Sequence, residues 1–231
     1  MDLLYYLYVI LDIFSRYVTG WMIAECESGD LAEELIATTC AKERIKPEQL
    51  TLHSDRGSAM RSKTVGQLLV DLGVGKSFSR PYTPNDNPYS EAQFKTMKYR
   101  PGYPDRFDSL DHSRDWARDF FEWYNHEHHH TGLGLMTPVV VHLGLAEVVY
   151  AHREQVLRAA YEAHPERFVR GVPMPPKLEK EVWINRPQSD ENAVPAPTPT
   201  QPGAQGTSAL EQPNWTEPLD TNFSLELSQN A

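Results

Sequence analysis

Two carboxylates are distinguished by their surroundings. Asp55 lies in Leu52-His53-Ser54-Asp55-Arg56-Gly57-Ser58 and Glu91 in Asn87-Pro88-Tyr89-Ser90-Glu91-Ala92-Gln93-Phe94-Lys95, with 35 residues between them. Carboxylate oxygens are hard donors that suit Mg²⁺ or Mn²⁺, ions that keep coordination positions open for phosphate oxygens. One pair of acids carries little weight in a chain with 32 Asp and Glu, because most such residues are solvated surface. Local charge adds to it. Between residues 55 and 106 nine Lys and Arg face five acids, although the whole chain carries −10. From residue 188 onward there are six acids and no Lys or Arg. The acidic balance is therefore largely a property of the tail, while the stretch holding the paired carboxylates is basic, as contact with a phosphate backbone favours.

A second constellation, His126-Glu127-His128-His129-His130, matches H-E-x-x-H, in which two histidines on one helix face hold zinc. It falls at the end of a helix just before Thr131-Gly132 and has no third ligand at a useful spacing, so a zinc metalloprotease is the lesser alternative.

The elements that must position Asp55 and Glu91 follow from pattern. Leu3 to Leu11 is aromatic and β-branched without helical period, and predicts a buried strand. A turn at Ser15-Arg16 returns the chain as Tyr17 to Ala24, making an antiparallel hairpin. Asp30-Leu31-Ala32-Glu33 opens a helix that runs to about Arg44. Leu50 to Ser54 is the next strand, placing Asp55 at its C-terminal end, and Gly57 lets the backbone turn there. A helix over Lys63 to Leu72 and a short strand over Lys76 to Arg80 precede the Pro/Asn-rich loop from which the Glu91 helix emerges, ending before Pro101. The spacing of Trp116, Phe120 and Tyr124, with Ala117 and Phe121 beside them, predicts one buried face of a longer helix from Ser109. Shorter helices follow over 137–143 and 148–163.

At 231 residues the chain accommodates one sizeable domain with an appendage. Cys26 and Cys40 have no metal-ligand spacing and suit a reducing compartment. The longest apolar run, Leu3 to Leu11, is far short of the roughly 20 residues that span a bilayer, and it lacks the features of a signal peptide. After Pro187 come six prolines and few large apolar residues, a composition that predicts disorder over 188–231.

The element order, with His-Ser-Asp-Arg-Gly-Ser at 53–58, Asn-Asp-Asn-Pro-Tyr-Ser-Glu-Ala-Gln-Phe-Lys at 85–95 and Trp-Tyr-Asn at 123–125, resembles the integrase catalytic core of DDE insertion-sequence transposases of the IS3-like type, relatives of retroviral integrases. The resemblance covers about 4–144. It implies an α/β fold, an RNase H-like mixed sheet flanked by helices, with a core over 1–145, a helical extension over 146–187 and the tail over 188–231. It also implies DNA transposition or integration by metal-dependent phosphodiester cleavage and strand transfer, with two Mg²⁺ or Mn²⁺ ions.

Carried over by position, Asp55 and Glu91 correspond to the second and third acids of the catalytic, metal-binding triad. Lys95 and Lys98, one and two turns after Glu91, correspond to DNA-contacting residues; their other reading is an i,i+4 Glu91–Lys95 pair and a solvated charge. The implied partners are transposon ends, target DNA and further copies of the chain, in the bacterial cytoplasm with nucleoid association on DNA. The family's first Asp lies on a central strand preceding Tyr6 to Leu11, for which this chain starts too late. Neither Asp2 nor Asp12 fills that place, and Asp12 reads as a turn-capping residue. The expectation is thus an N-terminally truncated core lacking its central strand, weakly active or inactive. A non-catalytic DNA-binding or multimerisation module is the other alternative.

Overall fold

In the computed structural model, described over residues 4–81, 83, 86–184 and the backbone of 221–230, the predicted hairpin forms from β1 (Tyr5–Asp12) and β2 (Val18–Ala24), paired antiparallel. Asp12 organises its turn as expected: it accepts from the Phe14 amide at 3.0 Å and from the Ser15 hydroxyl. Helix α1 (Gly29–Lys42) follows, its N-terminus capped by Ser28, whose side chain accepts from the Asp30 amide. Next come β3 (Leu50–Ser54), α2 (Lys63–Asp71), capped by Ser62, and β4 (Gly75–Phe78), which pairs parallel with β3. Helix α3 (Pro88–Lys98) starts three residues before Glu91 because Pro88 suits the first helical turn, where its missing N–H has no intrahelical partner to lose. Helices α4 (Leu110–His126), α5 (Pro138–His142) and α6 (Ala146–Ala163) complete the helical set.

Strand β1 is buried on both faces, which is why its sequence is continuously apolar rather than alternating. Tyr8 and Ile10 pack with Ile36 of α1 and Leu69 of α2 on one side. Tyr5, Leu7, Val9 and Leu11 pack with Phe94 and Met97 of α3 and Phe120, Phe121 and Tyr124 of α4 on the other. The sheet thus sits between two helical layers. The aromatic stripe of α4 is core, with Trp116 stacked on Phe120 at 5.4 Å between centroids. A smaller cluster of Leu133, Met136, Val141 and Ala146 sits under Phe14.

The sheet order is β2-β1-β5-β3-β4. Its central strand, β5 (Thr221–Asn230), comes from the C-terminal end of the chain and pairs antiparallel with β1 and parallel with β3. This corrects two expectations. The central position is filled, and the tail expected to be disordered supplies the strand that fills it; residues 188–220 lie outside the described residues. The physical reason is twofold. Strands β1 and β3 would otherwise present unpaired backbone groups inside the fold, and Asn222-Phe223-Ser224-Leu225-Glu226-Leu227-Ser228 alternates apolar and polar with the period of a strand.

Candidate active site

Asp55 follows β3 directly and is half-buried. Its Oδ1 accepts from the Gly57 amide at 2.9 Å, a local turn that holds the carboxylate at the strand end. Arg56 forms no ion pair with an acid among the described residues; its Nε donates to the Ser79 carbonyl at 3.2 Å and braces the ends of β3 and β4. His53 is buried and structural: Nδ1 lies 2.9 Å from the Ser77 hydroxyl and Nε2 3.0 Å from the Asp86 carbonyl. Burial pulls its pKa below the ordinary histidine value despite that carbonyl.

The His53–Asp86 contact joins the two carboxylate-bearing elements. Asp86 is fully buried, and its carboxylate accepts from the Arg80 guanidinium at 2.8 and 2.9 Å and from the Arg80 amide at 2.7 Å. This bidentate clamp ties the end of β4 to the entry of α3. Arg16, in the β1–β2 turn, lies 3.8 Å over the Tyr89 ring, and Arg100, past the other end of α3, lies 3.7 Å over the Trp123 ring. Helix α3 is therefore held at both ends and along its Phe94–Met97 face, leaving Glu91, Lys95 and Lys98 exposed together. The structure records no Glu91–Lys95 ion pair, so both lysines present free charge on the Glu91 face. Tyr99, beside them, is 84% exposed.

Asp86 and Arg80 escaped the sequence reading because they pair six positions apart in a stretch of sequence that has no periodic signal. The phrase Trp123-Tyr124-Asn125 has a structural explanation: Asn125 Oδ1 accepts from the Val18 amide at 2.9 Å and Nδ2 donates to the Val18 carbonyl at 3.1 Å, bolting α4 to β2. The zinc alternative loses its geometry. Helix α4 ends at His126, whereas His130 sits in an isolated bridge with Met136, and no group of three His, Cys, Asp or Glu side chains is arranged to hold a metal ion among the described residues.

Two family models, both described as the integrase core domain, match residues 3–84 and 72–138. Residues 3–138 form an integrase-like transposase core. The transposase of insertion sequence element IS904 from Lactococcus lactis subsp. lactis is 30% identical over 134 residues, covering 58% of this chain and 53% of that protein. A putative transposase of IS986/IS6110 from Mycobacterium tuberculosis is 25% identical over 157 residues, 65% of this chain and 54% of that protein. The chain spans about half the length of these relatives. Among solved structures, the catalytic core domain of BIV integrase aligns with a TM-score of 0.43 and 21% identity over 62% of this chain and 89% of that one. A simian T-cell lymphotropic virus intasome in complex with PP2A regulatory subunit B56 gamma aligns at 0.47 and 20% over 60% and 48%. Within the core, all four sequence candidates lie in the segments that the models match. No helix among the described residues is long and apolar enough to cross a membrane.

Proposed function

We propose that this integrase core acts on DNA as a metal-dependent phosphodiester-cleaving and strand-transferring enzyme of a bacterial insertion sequence, with Asp55 and Glu91 as its metal-binding, catalytic carboxylates. The observation that carries the reading is the clamp of His53, Asp86 and Arg80, which joins the end of β3 to the entry of α3 and so gives two hard-oxygen donors a common rigid support. Neither carboxylate is recorded in an ion pair, and their chemistry fits Mg²⁺ or Mn²⁺. A pair of such ions supplies activation of a water or 3′-hydroxyl and stabilisation of the leaving oxygen. The protein's own part is to hold DNA against that site. Lys95 and Lys98, exposed on the Glu91 face, contact backbone phosphates and set position rather than sequence. Like other proteins of this chemistry, the chain works on transposon ends and target DNA as a multimer.

The test is nicking of supercoiled plasmid by the purified chain with Mn²⁺. Asp55→Asn and Glu91→Gln each lower the rate by on the order of 100-fold, at least the loss seen when a metal's supporting partner is removed, with unfolding unchanged. Equal nicking by Asp55→Asn refutes the assignment, and undiminished DNA retention without any nicking supports a non-catalytic DNA-binding module instead.

A further inference from the structure

Among the described Phe, Trp and Tyr side chains only those of Tyr99 and Trp183 are exposed, and both residues stand at ends of α3. The Trp183 carbonyl accepts from the Tyr89 hydroxyl at 3.5 Å near the start of the helix, and Tyr99 caps its C-terminus. The Tyr99 ring has no aromatic or cationic neighbour, and its hydroxyl no hydrogen-bond partner, among the described residues. A single exposed ring is ordinary on a protein surface, but this one has specific company. Lys95, Lys98 and Tyr99 follow Glu91 at i+4, i+7 and i+8, so the ring closes the exposed stripe that carries the carboxylate and both lysines. Its support is also fixed. The Tyr99 amide donates to the Lys95 carbonyl at 3.0 Å, Met97 before it is buried, and Arg100 after it lies over Trp123. Further on, Trp116 Nε1 donates to the Gly102 carbonyl at 3.1 Å. With the backbone held on both sides, the ring is presented to solvent at a set place.

We infer that Tyr99 is a stacking platform for an unpaired base, so that DNA held along α3 has at least one nucleotide out of its duplex beside the site. The inference rests on the reading of Lys95 and Lys98 as phosphate contacts. Lysines bind a backbone whether or not its bases are paired, but a ring face is met only by the face of a base. In a continuous duplex those faces are covered by neighbouring pairs, whereas a frayed or single-stranded end offers them. Cations that track a backbone with an aromatic ring among them are the composition of single-strand binding surfaces. The spacing fits as well. Tyr99 lies eight residues beyond Glu91, about 12 Å along the helix axis, or roughly three to four nucleotides at about 3.4 Å of rise per nucleotide. A base on the ring therefore does not compete for space with a phosphodiester held at Glu91.

Binding of the full chain to two DNA probes in metal-free buffer, where no cleavage intrudes, tests this. One probe is a blunt duplex of arbitrary sequence, and the other is the same duplex with a short single-stranded 3′ extension carrying 2-aminopurine. The parent is expected to bind the extended probe more tightly and to quench its fluorescence. Tyr99→Ala and Tyr99→Leu lose the quenching and about fivefold or more of the affinity for the extended probe, with blunt-duplex affinity, salt slope and thermal midpoint unchanged. Tyr99→Phe and Tyr99→Trp keep both. An equal loss on the two probes places the ring against paired DNA and overturns the stacking assignment. If Tyr99→Ala binds as the parent does while Lys95→Ala/Lys98→Ala weakens both probes, the ring has no part in binding and the reading of the lysines stands. If Lys95→Ala/Lys98→Ala binds both probes as tightly as the parent, the phosphate reading of that face falls and this inference with it.

Discussion

Asn125 occupies a position where a single side chain satisfies both backbone groups of a buried strand residue. Removing it leaves the Val18 N–H and C=O without those partners, and each buried group left unsatisfied costs about 1 to 3 kcal/mol. Asn125→Ala is thus expected to lower unfolding free energy by about 2 to 6 kcal/mol, read from the urea midpoint, with Asn125→Asp also destabilised because a carboxylate cannot donate to the carbonyl. Lys95 and Lys98 belong to a different class of residue, exposed and free of recorded ion pairs, so their replacement leaves folding alone. Each phosphate contact contributes about 0.9 to the slope of log affinity against log salt for duplex DNA. The double variant Lys95→Ala/Lys98→Ala is expected to flatten that slope by about 2, uniformly across DNA sequences. An unchanged slope in a filter-binding series would remove both residues from the interface.

Between elements, His142 is the joint that packs the C-terminal helices on the core. From α5 it lies 3.3 Å from Asp12 Oδ2 at the β1–β2 turn and 3.3 Å from Glu43 Oε2 just past α1, with its ring stacked 4.3 Å from that of Tyr17. Burial lowers its pKa, but the Asp12 hydrogen bond and the charges of Asp12 and Glu43 outweigh that, and the net shift is upward. A group whose folded pKa is raised stabilises fully below its unfolded value of about 6.5 and loses that contribution as pH rises through the folded pKa. The midpoint difference between the parent and His142→Asn is therefore expected to be larger at pH 6 than at pH 9. His53, His128 and His130 act in the opposite sense: burial lowers all three, His130 to about 4, so their contribution is present above pH 6.5 and lost as pH falls toward the folded values. The elements these residues join were largely legible in the sequence. Periodicity located β1 to β3, α1, α2 and α4, and Pro81 and Pro101 marked loops. What was not legible was set at a distance in sequence: the Arg80–Asp86 clamp, the Asn125–Val18 bolt and the role of His142 each depend on a partner that local pattern cannot name.

At the scale of the whole molecule, β5 is where sequence reading and structure part most sharply, and the cause is physical. Tail composition, rich in Pro and poor in large apolar residues, is a sound argument against an independent core, but a strand of ten residues needs no core of its own when two strands wait on either side. Its alternation was present in Asn222 to Ser228; its partners lay more than 160 residues away. Such a strand also stands in the centre of the sheet, so its removal acts on the entire domain. A chain ending at residue 220 loses the ladders on both sides of β5, exposing backbone groups of β1 and β3 that run through the buried middle of the fold, at about 1 to 3 kcal/mol for each group left unsatisfied. Several such losses are comparable to the 5 to 15 kcal/mol that hold a typical domain together. The deletion is thus expected to abolish the cooperative thermal transition and raise dye binding to exposed apolar surface, with helix signal partly retained. Adding a synthetic peptide of residues 221–230 should restore a transition whose midpoint rises with peptide concentration, as linkage requires of anything that binds only the folded state. Preserved cooperative unfolding in the deletion would show that the β1–β3 pairing surface is stable without β5, and that the sheet does not depend on the end of the chain.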